Sequence, residues 1–413
     1  MSEPVAPGSA PEPESAAPPE TIAARYDLMQ RAGGIVVPLT TALLAFVIGG
    51  LILGASGYNP ISTYWDIAQG AGLNWFGHFT TNTANTAAYN LTQTLNTTTT
   101  LILTGLAVAF AFRCGMFNIG GQGQYLVGLF VANWIGTSMA GLAGPAHVTL
   151  AIVLATVAGA AWAGIAGFLK ATTGAHEVIS TIMLNWIAIY MGAYFFGQGG
   201  PLQGNEPSAP ISATIVPSGV IKFFWGDSTL GGLNVGFFIS LLALVVFWAI
   251  LNRTTLGYEV RAVGFNPDAA QYGGISVRKN YIRAMAISGA FAGLAGGIDM
   301  LGTYNSIGFG TLDVYGSQIG FLGIAVALLG RNTAVGVGLA GLLFGGLLYG
   351  TTHGLSTSAI PAQLTGNLTY IIQGLIVLFV GADVLILSAW NARKKVRRRG
   401  PRPEPKPEPE PTA

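Results

Sequence analysis

Charge is what this sequence has least of. Asp, Glu, Lys and Arg make up 9% of its 413 residues, against about 25% in a soluble domain. A surface facing water needs charge to stay solvated, so the composition excludes an ordinary soluble protein. Cysteine is nearly absent. Cys114 stands alone, which excludes an internal disulfide and a Cys-rich metal site and leaves a small buried packing residue. His176 and His353 are isolated and lack metal-ligand spacing. No Gly-x-x-x-x-Gly-Lys-Ser/Thr run occurs, so the chain does not hold ATP in a phosphate loop. Nor is there a Ser/His/Asp or paired-carboxylate arrangement of the kind hydrolysis requires.

What is present is apolar. Hydrophobic residues make up 51% of the chain, and they cluster in stretches of about 17–23, the length that crosses a hydrocarbon core at about 1.5 Å per residue. The 59 glycines suit membrane helices whose backbones approach over small side chains. The expected fold is therefore all-α, a polytopic membrane bundle of about ten spans. They fall near 35–55, 97–112, 119–139, 146–169, 177–197, 235–251, 284–302, 316–330, 333–350 and 368–388. The second and eighth are short or polar enough to be broken or re-entrant. Thr97 to Thr100 can lie at membrane depth if their hydroxyls bond back to helix carbonyls.

The ends differ in kind. Residues 1–24 are rich in Pro, Ala and Glu with almost no large apolar side chain, a composition that predicts a disordered tail. At the other end, 391–413 is basic and then alternates Pro with charge, which predicts an extended, solvated tail. The basic part reads as a topology anchor, with contact to acidic membrane lipid as the alternative.

Basic residues near span ends set orientation. With ten spans and both termini cytoplasmic, only Lys222 of the 19 Lys and Arg residues falls outside. Two polar outer loops then run roughly over 56–96 and 198–234, and Tyr58, Trp65, Trp75, Phe76 and Trp225 in them suit interface anchors.

The most informative inside segment is 252–283. Asn266 is a favoured N-cap, Pro267 fits the first helical position, and Asp268 complements the positive helix end. Gly273 and Gly274 then stop a helix of about two turns. It offers Phe265, Ala270, Tyr272 and Ile275 as contacts for a separate motor subunit.

Several runs go beyond generic physics. Gly264–Ile275 with Asn266-Pro267-Asp268-Ala269-Ala270, Ser288–Gly297, Phe112–Gln124, His176–Asn185 and Gly320–Gly330 together resemble the permease subunits of ATP-binding cassette importers. The resemblance is to the superfamily of branched-chain amino-acid, simple-sugar and nucleoside permeases, and covers approximately 95–385 in order. Glu177 to Asn185 looks most like the nucleoside branch, with a simple-sugar permease as the alternative. The resemblance implies a permease domain over 25–390 in a bacterial plasma membrane, whose coupling helix is 266–274. It also implies a second permease subunit, a pair of cytoplasmic ATPases that carry ATP and Mg, and an external substrate-binding lipoprotein. The chain itself is then non-catalytic and needs no cofactor of its own, and nothing points to nucleic acid. The family often has Glu where Gln122 and Asp299 stand here.

Polar side chains at membrane depth face a partner or a cavity. Asn118, Gln122 and Gln124 lie among Gly115, Gly120, Gly121 and Gly123, so an irregular backbone is expected there. These amides, with Asn185, Gln318 and the isolated acid Asp299, are the candidates for a substrate pathway. Glue between helices is the competing reading. Glu177 is expected at the start of the fifth span, where its carboxylate suits the helix dipole. An ion-coupled secondary transporter would show ionisable groups at the midplane, and a lipid-modifying enzyme would show an acid, base or metal cluster. Both are poorly matched.

Overall fold

The computed structural model describes residues 40–77, 83–205, 208–225, 232–305, 308–316, 318–355, 367, 370–375 and 378–379. The two tails and most of the expected tenth span, 368–388, lie outside the described residues.

Almost everything described is helical. The order is α1 (Thr40–Ala55), α2 (Pro60–Gly70), α3 (Thr83–Arg113), α4 (Gly121–Ser138), α5 (Gly144–Thr173), α6 (Glu177–Phe196) and α7 (Gly236–Arg253). After these come α8 (Thr255–Phe265), α9 (Pro267–Tyr272), α10 (Val277–Gly302), α11 (Thr311–Gly316), α12 (Ile319–Leu329) and α13 (Ala334–Gly354). Two short strands, β1 (Phe223–Trp225) and β2 (Leu233–Asn234), pair antiparallel before α7. Local chemistry sets many of the boundaries. Asn59, Thr254, Ser276 and Thr333 cap α2, α8, α10 and α13 by accepting backbone N–H bonds. Gly174 ends α5 in the left-handed region.

Burial separates the helices into layers. In the most apolar stretches of α3 and α10, 83% and 78% of residues are buried, against 22% in α5 and 28% in α6 and in α7. The exposed side chains of the outer helices are apolar, such as Val153, Val157 and Phe168 on α5 and Leu241, Leu242 and Val245 on α7. Lipid is the medium that suits them. α10 lies along α4 and α5, and α3 packs on α10, α12 and α13. The α5–α10 contact is a backbone approach: a Cβ on Gly159 would meet the Gly289 carbonyl oxygen at 2.4 Å and Gly293 Cα at 2.6 Å. Only glycine fits there.

The span count departs from expectation. Among the described residues seven helices are long and apolar enough to cross a membrane, or eight if the bent pair α1–α2, broken by 118°, is one span. The sequence places nine spans in the same stretch. One difference is α4, whose Gln122, Gln124 and Asn133 lower its apolarity while being buried within the chain. A second correction concerns the expected break in the second span. α3 is continuous, and Thr97, Thr98 and Thr99 donate to the carbonyls of Gln93, Thr94 and Leu95 at 3.0, 2.8 and 2.9 Å. The eighth span is interrupted, as α11 stops at Gly316 and α12 starts at Ile319. The segment 56–96, read as loop, holds α2 and the first turns of α3. Trp75 meets Trp225 edge-on at 5.1 Å, so two of the expected interface anchors join the two segments read as outer loops to each other.

Candidate functional site

The glycine-rich turn into α4 gathers the amides. Asn118 is fully buried and central: its Nδ2 donates to Gln124 Oε1 at 2.9 Å and to Ser288 Oγ at 2.7 Å, while its Oδ1 accepts from Gly120 N at 2.8 Å. Gln124 Nε2 returns a bond to Asn118 Oδ1 at 3.0 Å. Asn185 reaches across from α6, accepting from Gly123 N at 2.8 Å and donating to Ile119 O at 2.9 Å. Gln122 Oε1 accepts from Gly320 N at 2.9 Å, which ties α4 to the start of α12. Its Nε2 is buried with no partner among the described residues. Four elements, α4, α6, α10 and α12, are thus joined by side-chain amides within one small region.

Asp299 sits apart on α10 but is tied to α4 as well. Tyr125 OH donates to Oδ2 at 2.8 Å, and Thr100 Oγ1 of α3 donates to Oδ1 at 2.7 Å. At 6% exposure the carboxylate is enclosed by donors from two other helices. Buried acids need such partners. Nearer the chain's other face, Glu177 opens α6 and pairs with Lys170 of α5 at 2.9 Å.

Gln318 is placed differently from the other candidates. It is exposed and lines a cavity of about 310 Å³ together with Asn185, Ile182, Trp186, Ile189, Tyr315 and Phe321. The cavity lies where α6 faces the interrupted α11–α12 span. Beside it, Trp186, Tyr190 and Tyr194 follow one face of α6 and are 51%, 62% and 69% exposed. The exposed faces of α5 and α7 are mainly aliphatic. Asn118, Gln122, Gln124 and Asp299 do not line this cavity.

The short helix α9 forms as its residues dictate. Asn266 Oδ1 accepts from Asp268 N and Ala269 N at 3.0 and 3.1 Å, Pro267 opens α9, and Gly274 takes φ +81° after it. Ile275 N closes the end on Ala270 O at 3.0 Å. Phe265 and Tyr272 are 91% and 95% exposed, and Asn266 to Ala269 and Gly273 are exposed with them. Ala270 points the other way, is 5% exposed and packs in the chain's own core. It supports the helix and offers no surface to a partner; Ile275 is half-buried. The base is braced: Glu259 of α8 accepts from Asn280 Nδ2 at 3.0 Å and pairs with Arg283 of α10 at 3.7 Å.

This arrangement is a membrane bundle with a polar seam and a rigid helix presented at one end. Residues 90–381 match the family described as branched-chain amino acid transport system / permease component. The chain belongs to this permease family. It is 40% identical to the guanosine ABC transporter permease protein NupP of Bacillus subtilis, over 89% of this chain and 99% of that one. It is 34% identical to the nucleoside ABC transporter permease protein NupB of Lactococcus lactis, over 85% and 92% of the two chains. A glucose ABC transporter permease protein, TsgB13 of Haloferax volcanii, is 33% identical over 87% and 89%. No solved structure matches.

The permease also uses residues that sequence reasoning passed over. Thr100, Tyr125 and Ser288 complete the buried bonds of Asp299 and Asn118. Ser288 opens one of the family-like runs and Thr100 belongs to the threonine stretch 97–100, but nothing local marks their partners. The aromatic repeat 186, 190, 194 was a readable signal, since a four-residue spacing lines one helix face. No group of three or more His, Cys, Asp or Glu poised to hold a metal occurs among the described residues.

Proposed function

We propose that this permease is the membrane subunit of an ATP-driven importer of nucleosides. The observation that carries the reading is the 40% identity to a guanosine permease across nearly the full length of both chains. The geometry supports it. Neutral hydroxylated solutes are met by amides, which both donate and accept, and nucleobases by aromatic faces. The cavity of Asn185, Gln318, Trp186, Tyr315 and Phe321 offers both, and we take it as part of the solute route.

The partners follow from the family: an ATPase pair on the cytoplasmic side and an external substrate-binding lipoprotein, with a second permease subunit beside this one. Both termini lie in the cytoplasm, so α9 faces the ATPase, and Phe265 and Tyr272 are the side chains that seat in it. Replacing both with alanine removes exposed contacts without touching the core. The expected result is normal membrane insertion with uptake and substrate-stimulated ATP hydrolysis lowered about tenfold or more, since aromatic anchors of an interface are each worth about 2 kcal/mol or more. Unchanged hydrolysis and uptake would place the motor contact elsewhere.

A glucose permease among the relatives makes a sugar the second reading. Radiolabelled uptake of guanosine, uridine, ribose, glucose and leucine, in cells with and without the gene, decides between them. Loss of guanosine and uridine uptake alone supports the nucleoside reading. Loss of sugar uptake with nucleosides spared overturns the substrate and keeps the importer.

A further inference from the structure

Two guanidinium groups share a cavity that holds no carboxylate. Arg113 ends α3 and Arg261 lies on α8, and with Asn252, Asn332, Thr333 and Ala334 they line a pocket of about 170 Å³ whose remaining wall is Phe247, Trp248 and Leu251 of α7. The two side chains are close enough to repel. No ion pair between described residues includes either arginine: Glu177 pairs with Lys170 and His176, and Glu259 with Arg283. Arg113 spends Nε and Nη2 on one acceptor, Asn332 O, at 2.9 and 2.8 Å. Arg261 uses only Nε, on Gly257 O at 3.3 Å. Arg113 Nη1 and both Nη groups of Arg261 therefore have no acceptor among the described residues. Asn332 adds the opposite need, a buried Oδ1 with no donor among the described residues. Close by, Arg253 lies over the Trp248 ring at 5.2 Å.

The helices beside this cavity carry large apolar side chains on their exposed faces. Above it α7 and α13 run side by side, with Gly338 placed against Leu244. Their outward faces carry Leu242 and Val245 on one helix and Val335 and Leu339 on the other, 59–74% exposed. A cationic pocket beside helices whose exposed faces are aliphatic matches the two parts of a phospholipid, a charged head group and apolar chains. Its phosphate meets the guanidinium groups, a glycerol hydroxyl can donate to Asn332, and its acyl chains lie along α7 and α13. Basic pockets between membrane helices select anionic head groups in this way, and guanidinium forks match phosphate oxygens.

We infer that the pocket of Arg113 and Arg261 is a specific site for an anionic phospholipid bearing a free hydroxyl, of the phosphatidylglycerol type. The site lies at the base of α8, the helix that leads into α9, so its occupant would stiffen the segment that presents Phe265 and Tyr272.

The test uses the full-length chain purified in a mild detergent, stripped of lipid and titrated by native mass spectrometry with phosphatidylglycerol, phosphatidylcholine or inorganic phosphate. Wild type should retain phosphatidylglycerol over phosphatidylcholine. Arg261→Gln should weaken that retention about fivefold, the effect of one charge at a membrane surface. Arg278→Gln, an exposed arginine outside the cavity, should leave it unchanged and so separates the site from general basic character. Arg113→Gln also removes the bonds to Asn332, so Arg261 carries the test. Equal retention by wild type and Arg261→Gln overturns the proposal. Displacement of the lipid by millimolar phosphate overturns it in favour of a small-anion site. Loss of bound lipid when the ATPase partner is co-purified overturns it in favour of an acidic side chain on that partner.

Discussion

The amide cluster at the start of α4 and the cavity facing α12 share Asn185, yet they use their polar groups in opposite ways. In the cluster nearly every donor and acceptor is spent within the chain: Asn118 alone bonds Gln124, Ser288 and Gly120. In the cavity Gln318 is exposed, and aromatic rings replace neighbouring amides. Residue type is the same in both places. What differs is whether the bonding capacity of the side chain is already consumed. A saturated amide inside a membrane protein holds helices together; an unsaturated one on a cavity wall has capacity left for a solute.

Substitutions at the two places should separate along that line. Asn118→Leu leaves buried polar groups of Gln124, Gly120 and Ser288 without their partner. Each such group costs about 1–3 kcal/mol, so a total near 3 kcal/mol is expected, read as a lower melting temperature in detergent and reduced yield. Normal stability would remove the cluster from the list of structural elements. Asp299→Asn keeps the shape but replaces one carboxylate oxygen with a donor NH2, so the charge is lost and one of the hydroxyls of Thr100 and Tyr125 loses its acceptor, at about 1–3 kcal/mol. Uptake should survive this change in proportion to folded protein. If stability holds and uptake vanishes, Asp299 belongs to the solute route.

Gln318→Ala should do the reverse. No packed partner is lost, so stability should stay within about 0.5 kcal/mol, while half-saturation for nucleoside uptake rises severalfold. The smallest effect is expected at Cys114. It is 1% exposed, and burial pushes its thiol up to about 12. The raised value keeps the thiol protonated at every pH below that, so maleimide at pH 7.5 should leave the folded protein unlabelled. Gln271→Cys on exposed α9 should then label from the cytoplasmic side only. Labelling from outside intact cells would reverse the topology.

Local features were legible in the sequence, and long-range ones were not. The cap at Asn266, the stop at Gly273 and Gly274, and the threonines bonded back along α3 all follow from residues within four positions of each other. The partners of Asp299 lie 199 and 174 positions away, and no periodicity reports such a pairing. Residues 83–96 read as an outer loop because Asn and Thr lower their hydropathy. They are helical because α3 packs there on α2, the segment Leu73–Gly77 and β2, which outweighs weak propensity. The orientation of Ala270 was hidden for a related reason: a two-turn helix shows its outer face only once its neighbours are placed.

The glycine contact between α5 and α10 has a mechanical side. With Gly159 set against Gly289 and Gly293 at backbone distance, shear along the seam would drive carbonyl oxygens into neighbouring α-carbons. The two helices therefore behave as a single strut. α9 is joined to the foot of that strut through the short link 273–276, so a displacement of α9 would be carried along the strut instead of being absorbed at its first joint.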